Sequence, residues 1–264
     1  MPMPLTVLSV AFPFAPVGPD AVGGAEQVLS ALDEALVAAG HRSLVVACEG
    51  SQTAGELIAT PRVRGPVDAE ARAQAHARHR EAIAYALDRF EVDVVHLHGL
   101  DFDRYLPPPG PAALATLHLP PSWYAAGALR PARPRTWLSC VSASQRAACP
   151  PAPVVATIPN GVAVERFPVA RRKHGYVLAL GRICPEKGFH LALEACHRAG
   201  LPMLLAGAVF PYPEHQRYFR EQIEPRLDAR RRFLGPVGFA RKRRLLAGAR
   251  CLVAPSLAPE TSSL

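Results

Sequence analysis

Apolar residues in this chain come in short runs separated by stretches of helical spacing. Residues 5–11 form a Val- and Leu-rich run that stops before Pro13, the mark of a buried strand. A loop rich in Pro and Gly follows. Val28, Leu29, Leu32, Leu36 and Ala39 then recur on one helical face, and Gly40 stops the helix. Further strands are predicted at 43–48, 92–98, 112–118, 137–142 and 154–159, with an Ala-rich helix over 68–90. Residues 161–173 have no clear period, and beyond them the alternation restarts. Strands at 176–180, 202–206, 232–234 and 251–254 enclose helices at 186–199, 214–227 and 240–247. Strands alternating with helices predict an α/β fold whose parallel sheets are covered on both faces. The restart predicts two domains, 1–168 and 169–264.

Composition narrows the class. Hydrophobic residues make up 49% and charged residues 20% of 264 positions, the balance of a globular chain with a buried core. No apolar run approaches the ~18 residues that span a bilayer. Residues 1–10 lack a basic n-region, so no secretory signal is expected. The six cysteines form no Cys-x-x-Cys pair, which argues against a zinc knuckle or a redox motif and fits a reducing, cytoplasmic setting. The net charge of +8 is concentrated in Arg230–Arg231–Arg232 and Arg241–Lys242–Arg243–Arg244. Such patches read first as solvated helix faces, and a peripheral contact with a membrane surface stays open. No aromatic-interleaved motif accompanies them, so no nucleic acid is expected as a partner.

Ligands of open α/β sheets bind beyond the carboxyl ends of the strands. Three loops there carry chemistry. Gly23-Gly24-Ala25-Glu26 closes the loop after the first strand and opens a helix, where small residues and free N–H groups admit an anion or simply make a tight turn. Gly181-Arg182-Ile183-Cys184-Pro185-Glu186-Lys187-Gly188 follows the strand at 176–180. Pro185 suits a first helical turn, so Arg182 and Lys187 are expected to flank a helix N-terminus, which makes a diphosphate site without a metal. Glu260, Thr261, Ser262, Ser263 and Leu264 follow the strand at 251–254 and read as a capped helix start able to hold sugar hydroxyls and phosphate oxygens. His96 and His98 are expected on opposite sides of their strand, with one at most toward a ligand.

Taken together these segments resemble the family-4 group of GT-B glycosyltransferases. The resemblance also runs through Asp93-Val94-Val95-His96-Leu97-His98, Thr116-Leu117-His118, Val141-Ser142, Ile158-Pro159-Asn160-Gly161-Val162, Phe233-Leu234-Gly235 and Pro255-Ser256, in order over nearly the whole chain. It implies two Rossmann-like domains in a GT-B arrangement, the second of them incomplete, because the family's Glu-x7-Glu motif begins at Glu260 and its second Glu would fall past Leu264. It also implies a reaction: transfer of a hexose from a nucleoside diphosphate sugar to an acceptor hydroxyl, with retention and without metal or other cofactor. UDP-glucose is the default donor; the acceptor is a glycan, a lipid-linked sugar or a small molecule. By resemblance His118, Arg182, Lys187 and Glu260 would be catalytic. Gly23, Gly24, Arg182, Lys187, Val237, Glu260, Thr261, Ser262, Ser263 and Leu264 would hold the donor, with Val237 near the base.

Two other classes compete. His96, His98 and Asp101 resemble part of a zinc-hydrolase ligand set, and Asp101-Phe102-Asp103 is an Asp-x-Asp of the kind metal-dependent GT-A enzymes use. A nucleotide-binding fragment without catalysis is the third reading.

Overall fold

The structure, a computed structural model, describes residues 3–262. It divides into two compact units. The first reaches to Gly161 and takes in the segment from Glu260; the second is Val162–Pro259. The sequence puts the boundary at 168/169, within the same aperiodic stretch.

The first unit is a seven-stranded sheet in which every neighbouring pair is parallel. Its strands are β1 (Thr6–Val10), β2 (Arg42–Cys48), β3 (Glu56–Thr60), β4 (Val94–Leu97), β5 (Ala112–Leu117), β6 (Thr136–Cys140) and β7 (Val154–Thr157), in the order β3-β2-β1-β4-β5-β6-β7. The helices are α1 (Gly24–Ala38), α2 (Ala69–Arg89) and α3 (Ala143–Ala148). Alternation along β2 explains the layers. Val45 and Ala47 pack with Leu29 of α1 on one face, while Leu44 and Val46 pack with Ile83 and Ala86 of α2 on the other. A parallel sheet needs both covers, because its crossovers are helices. Asp68 caps α2 by accepting from the Ala71 N–H (2.9 Å).

The second unit repeats the plan on four parallel strands, β8 (Val177–Leu180), β9 (Met203–Ala206), β10 (Arg231–Phe233) and β11 (Cys251–Leu252), ordered β10-β9-β8-β11. Its helices are α4 (Phe189–Arg198), α5 (Pro213–Tyr218) and α6 (Phe239–Gly248). Leu193, Phe189 and Cys196 of α4 pack with Val177, Met203 and Leu205.

Three expectations change. The helix expected over 186–199 is two pieces, a 3₁₀ turn at Pro185–Lys187 and then α4, separated by Gly188 in the left-handed conformation (φ 61°). The helix expected over 214–227 is α5, a π-helical segment Phe219–Ile223 and a 3₁₀ turn Glu224–Arg226. No helix begins at Glu260 within the described residues. No helix among them is long and apolar enough to cross a membrane.

Candidate active site

In each sheet the strand order reverses once, and the carboxyl ends flanking that point form a crevice for ligands. In the first unit the reversal lies at β1, between β2 and β4. The loop after β1 leads to Gly23, the N-cap of α1, and Gly24, its first residue. Gly23 has no side chain with which to cap this helix. A Cβ on Gly23 would displace the Glu26 carboxylate, which packs against this residue.

The loop after β4 begins with His98 and that after β5 with His118. His98 Nδ1 and His118 Nε2 are 3.0 Å apart, and His96 Nε2 lies 2.8 Å from Thr116 Oγ1. The His96 and His98 ring centroids are 4.1 Å apart, so the two histidines share a side, contrary to the expectation of opposite sides. Residues two apart on a strand share a face; it is adjacent residues that alternate. Burial lowers His96 and His118 to about 4 and His98 well below its ordinary value, so all three are neutral imidazoles at pH 7.

Two residues unmarked in the sequence hold this loop. Tyr124 Oη accepts from the His118 N–H (2.8 Å) and the Leu119 N–H (3.3 Å). The Gln145 side-chain amide donates to the Leu117 and Leu119 carbonyls (2.7 and 2.8 Å) and accepts from the Val141 N–H (2.7 Å). The backbone at His118 is thus fixed on several sides. Thr261 Oγ1 donates to the His118 carbonyl (2.7 Å), and the segment it belongs to groups with the first unit. Glu260 is exposed and Ser262 half-buried. Ser263 and Leu264 lie outside the described residues.

Asp101 does not join His96 and His98. Its Oδ2 is 2.6 Å from His76 Nε2, and its Oδ1 accepts from Tyr105 Oη (2.9 Å). Asp103 pairs with Arg104 (3.5 Å). The zinc-hydrolase and Asp-x-Asp readings therefore lose their convergent ligand set.

In the second unit the reversal lies at β8, between β9 and β11. The loop after β8 carries Arg182 and Lys187, both half-buried. The Arg182 guanidinium lies 5.8 Å from the Phe210 ring centroid. Lys187 closes the 3₁₀ turn, and Gly188, not Pro185, is the N-cap of α4. A Cβ at Gly188 would meet the Pro255 carbonyl oxygen. The loop after β11 comes this close because the Leu257 N–H donates to the Glu186 carbonyl (2.8 Å). Val237 sits half-buried between β10 and α6. The basic stretch of α6 is partly absorbed locally: Lys242 and Arg243 stack on Phe239, as Arg166 does.

Two doubly wound parallel sheets, each with glycines, imidazoles or cations at the point where its strand order reverses, define a GT-B glycosyltransferase fold. The sequence profile of Glycosyltransferase Family 4 matches residues 22–166, over half of the chain. The chain belongs to this family and is a glycosyltransferase. No curated protein sequence matches it significantly. Among solved structures it is similar to AviGT4, a glycosyltransferase involved in avilamycin A biosynthesis, at 27% identity and a TM-score of 0.66 over 97% of this chain and 71% of that one. Sucrose-phosphate synthase from Thermosynechococcus elongatus shares the fold at 18% identity (TM-score 0.71; 98% and 77% covered). So does the Anabaena protein HepE, solved with UDP and glucose, at 16% identity (TM-score 0.62; 97% and 75% covered).

Proposed function

We propose that this glycosyltransferase moves a hexose from a nucleoside diphosphate sugar to an acceptor hydroxyl with retention of anomeric configuration, and without a metal in the chemical step. The observation that carries this reading is the pair Arg182 and Lys187 on the loop after β8, at the strand-order reversal of the second unit. A forked guanidinium and an ammonium can bind a diphosphate and offset the charge that grows on the leaving nucleotide. His118, neutral and fixed through its backbone, suits a hydrogen bond to a sugar hydroxyl rather than a cationic role. Gly23 and Gly24 give the first unit a loop that a ligand can approach closely. Glu260 would contact the transferred sugar, and Val237 the base. Attack occurs on the face from which the nucleotide leaves, with the departing phosphate taking the acceptor's proton. UDP-glucose is the donor to test first, since HepE, which shares the fold, was solved with UDP and glucose. Six free cysteines support a cytoplasmic site of action. The exposed Arg241 and Arg244 support transient contact with an anionic membrane surface.

Thermal shift with UDP-, GDP- and ADP-sugars identifies the donor, and product NMR reads the anomer. Stabilisation by one nucleotide sugar, a retained product and transfer that persists in EDTA are expected. An inverted product overturns retention, and loss in EDTA with rescue by Mn²⁺ overturns the metal-free step.

A further inference from the structure

Behind the loop after β8 lies a second group of chemically active side chains. Cys184 is fully buried just before the Pro185–Lys187 turn, His215 is 8% exposed on α5, and Glu186 is half-buried between them. One ligand atom from each (the Cys184 Sγ, a Glu186 carboxylate oxygen and a His215 ring nitrogen) lies within 4.8 Å of the other two. It is the one such group of His, Cys, Asp and Glu among the described residues. Glu186 Oε2 and His215 Nδ1 are both buried without a hydrogen-bond partner. Such orphaned groups cost roughly 1–3 kcal/mol each when nothing satisfies them. A cavity of about 270 Å³ adjoins them, lined by Glu186, His215, Glu214, Glu221 and Gln222 among others.

We propose that Cys184, Glu186 and His215 bind a zinc ion that ties the turn at Pro185–Lys187 to α5. Thiolate, imidazole and carboxylate together select zinc over magnesium, calcium or manganese, which prefer oxygen ligands alone. In a tetrahedral zinc site, sulfur and nitrogen ligands stand about 3.6 Å apart. A cluster spanning at most 4.8 Å therefore closes with a shift of about one ångström. The fourth position faces the cavity, open to water or to Glu214 or Glu221. Charge favours the ion: a thiolate and a carboxylate cancel its two positive charges, so a near-neutral assembly occupies the interior. Zinc takes an imidazole in its neutral form and displaces the proton of a thiol, so binding at this site releases protons. The Arg182 guanidinium, which acts electrostatically on all three groups, opposes the ion, and Glu214 favours it. The ordinary alternative is a thiol–carboxylate hydrogen bond with no metal. It leaves the His215 Nδ1 without a partner.

The test uses the whole chain, metal-stripped and kept reduced with a non-thiol agent. Equilibrium dialysis with Zn²⁺ should give one tight equivalent, and saturation should raise Tm. Co²⁺ should show a thiolate charge-transfer band. Cys184→Ser and His215→Ala should each weaken Zn²⁺ binding by more than about tenfold and remove the Tm rise; Cys184→Ser should abolish the band. Cys251→Ser, at an exposed cysteine, should keep all three signals. Circular dichroism checks that each variant is folded, and Glu186→Gln serves where Cys184→Ser is not. Zinc that binds the site variants as tightly as the parent, or a cobalt spectrum without the band, overturns the proposal.

Discussion

Arg182 and Lys187 differ in what they offer a diphosphate. The guanidinium presents two parallel N–H groups and is steadied by Phe210, while the ammonium is a point charge at the end of the 3₁₀ turn. Arg182→Ala and Lys187→Ala should each weaken nucleoside diphosphate binding by roughly 10- to 150-fold, corresponding to about 1.5–3 kcal/mol for a charge-assisted contact. Calorimetric titration reads this directly, and parental affinity in both variants would remove these residues from the donor site. The buried histidines carry a different consequence. Burial lowers His79, His96 and His118 to about 4, and His98 further. The unfolded chain takes up protons below its ordinary histidine pKa of about 6.5, while the folded chain does not until near pH 4. Stability is therefore fully present above about pH 6.5 and falls as pH drops toward 4. His79 is fully buried, so His79→Leu should flatten that slope in urea melts across the window. An unchanged slope would show that His79 is protonated in the folded state as readily as in the unfolded one.

At the scale of elements, the turn at Gly188 joins the loop after β8, α4 and the loop after β11. Its left-handed backbone costs a non-glycine residue roughly 1–2 kcal/mol, and an added Cβ meets the Pro255 carbonyl besides. Gly188→Ala should lower Tm and weaken nucleotide binding together, because the Leu257-to-Glu186 hydrogen bond is displaced; a lower Tm with unaltered affinity would separate the turn from the donor site. Most of the elements were legible in the chain because they are apolar runs closed by Gly, Pro or a capping Asp. β3 was not: Glu-Leu-Ile-Ala-Thr is a short edge strand with only Thr60 buried, so neither alternation nor a solid apolar run marks it. α3 is one and a half turns, below the length at which a helical period shows. The site was legible in parts. Gly23, Arg182 and Lys187 follow strands in the sequence itself. The His98–His118 contact depends on the β4–β5 register, and the partnership of Gln145 with the loop after β5 depends on where α3 docks. Cys184 and Glu186 are neighbours in sequence, but His215 reaches them only through the packing of α5, so no ligand spacing announced the cluster.

At the scale of the whole chain, each unit has its own apolar core and its own strand-order reversal. On the second unit's side of the connection between them, residues 169 and 171–174 are exposed and carry Arg171, Arg172 and Lys173. Limited trypsin digestion should cut first there, leaving two resistant fragments by mass spectrometry. A first cut among Arg62 or Arg64 instead would mean that the stretch after β3 opens more readily. The family profile, which covers residues 22–166, ends at this same connection.

The π-helical segment Phe219–Ile223 stores a spare residue. Upstream of it, α5 aims His215 at Cys184 and Glu186 and sets the Tyr218 hydroxyl against His190 Nδ1 (2.9 Å). Downstream, Ile223 is fully buried in the core of the unit. A π turn holds one residue more than the α-helical turn it replaces, so the surplus is absorbed within the turn and the two ends keep their phase. Deleting a single residue between 219 and 223 should therefore close the segment into an ordinary α-helical turn, with His215 and Tyr218 still facing the loop after β8 and Ile223 still in the core. The same deletion within α5 has no such slack and would turn one end by about 100° relative to the other.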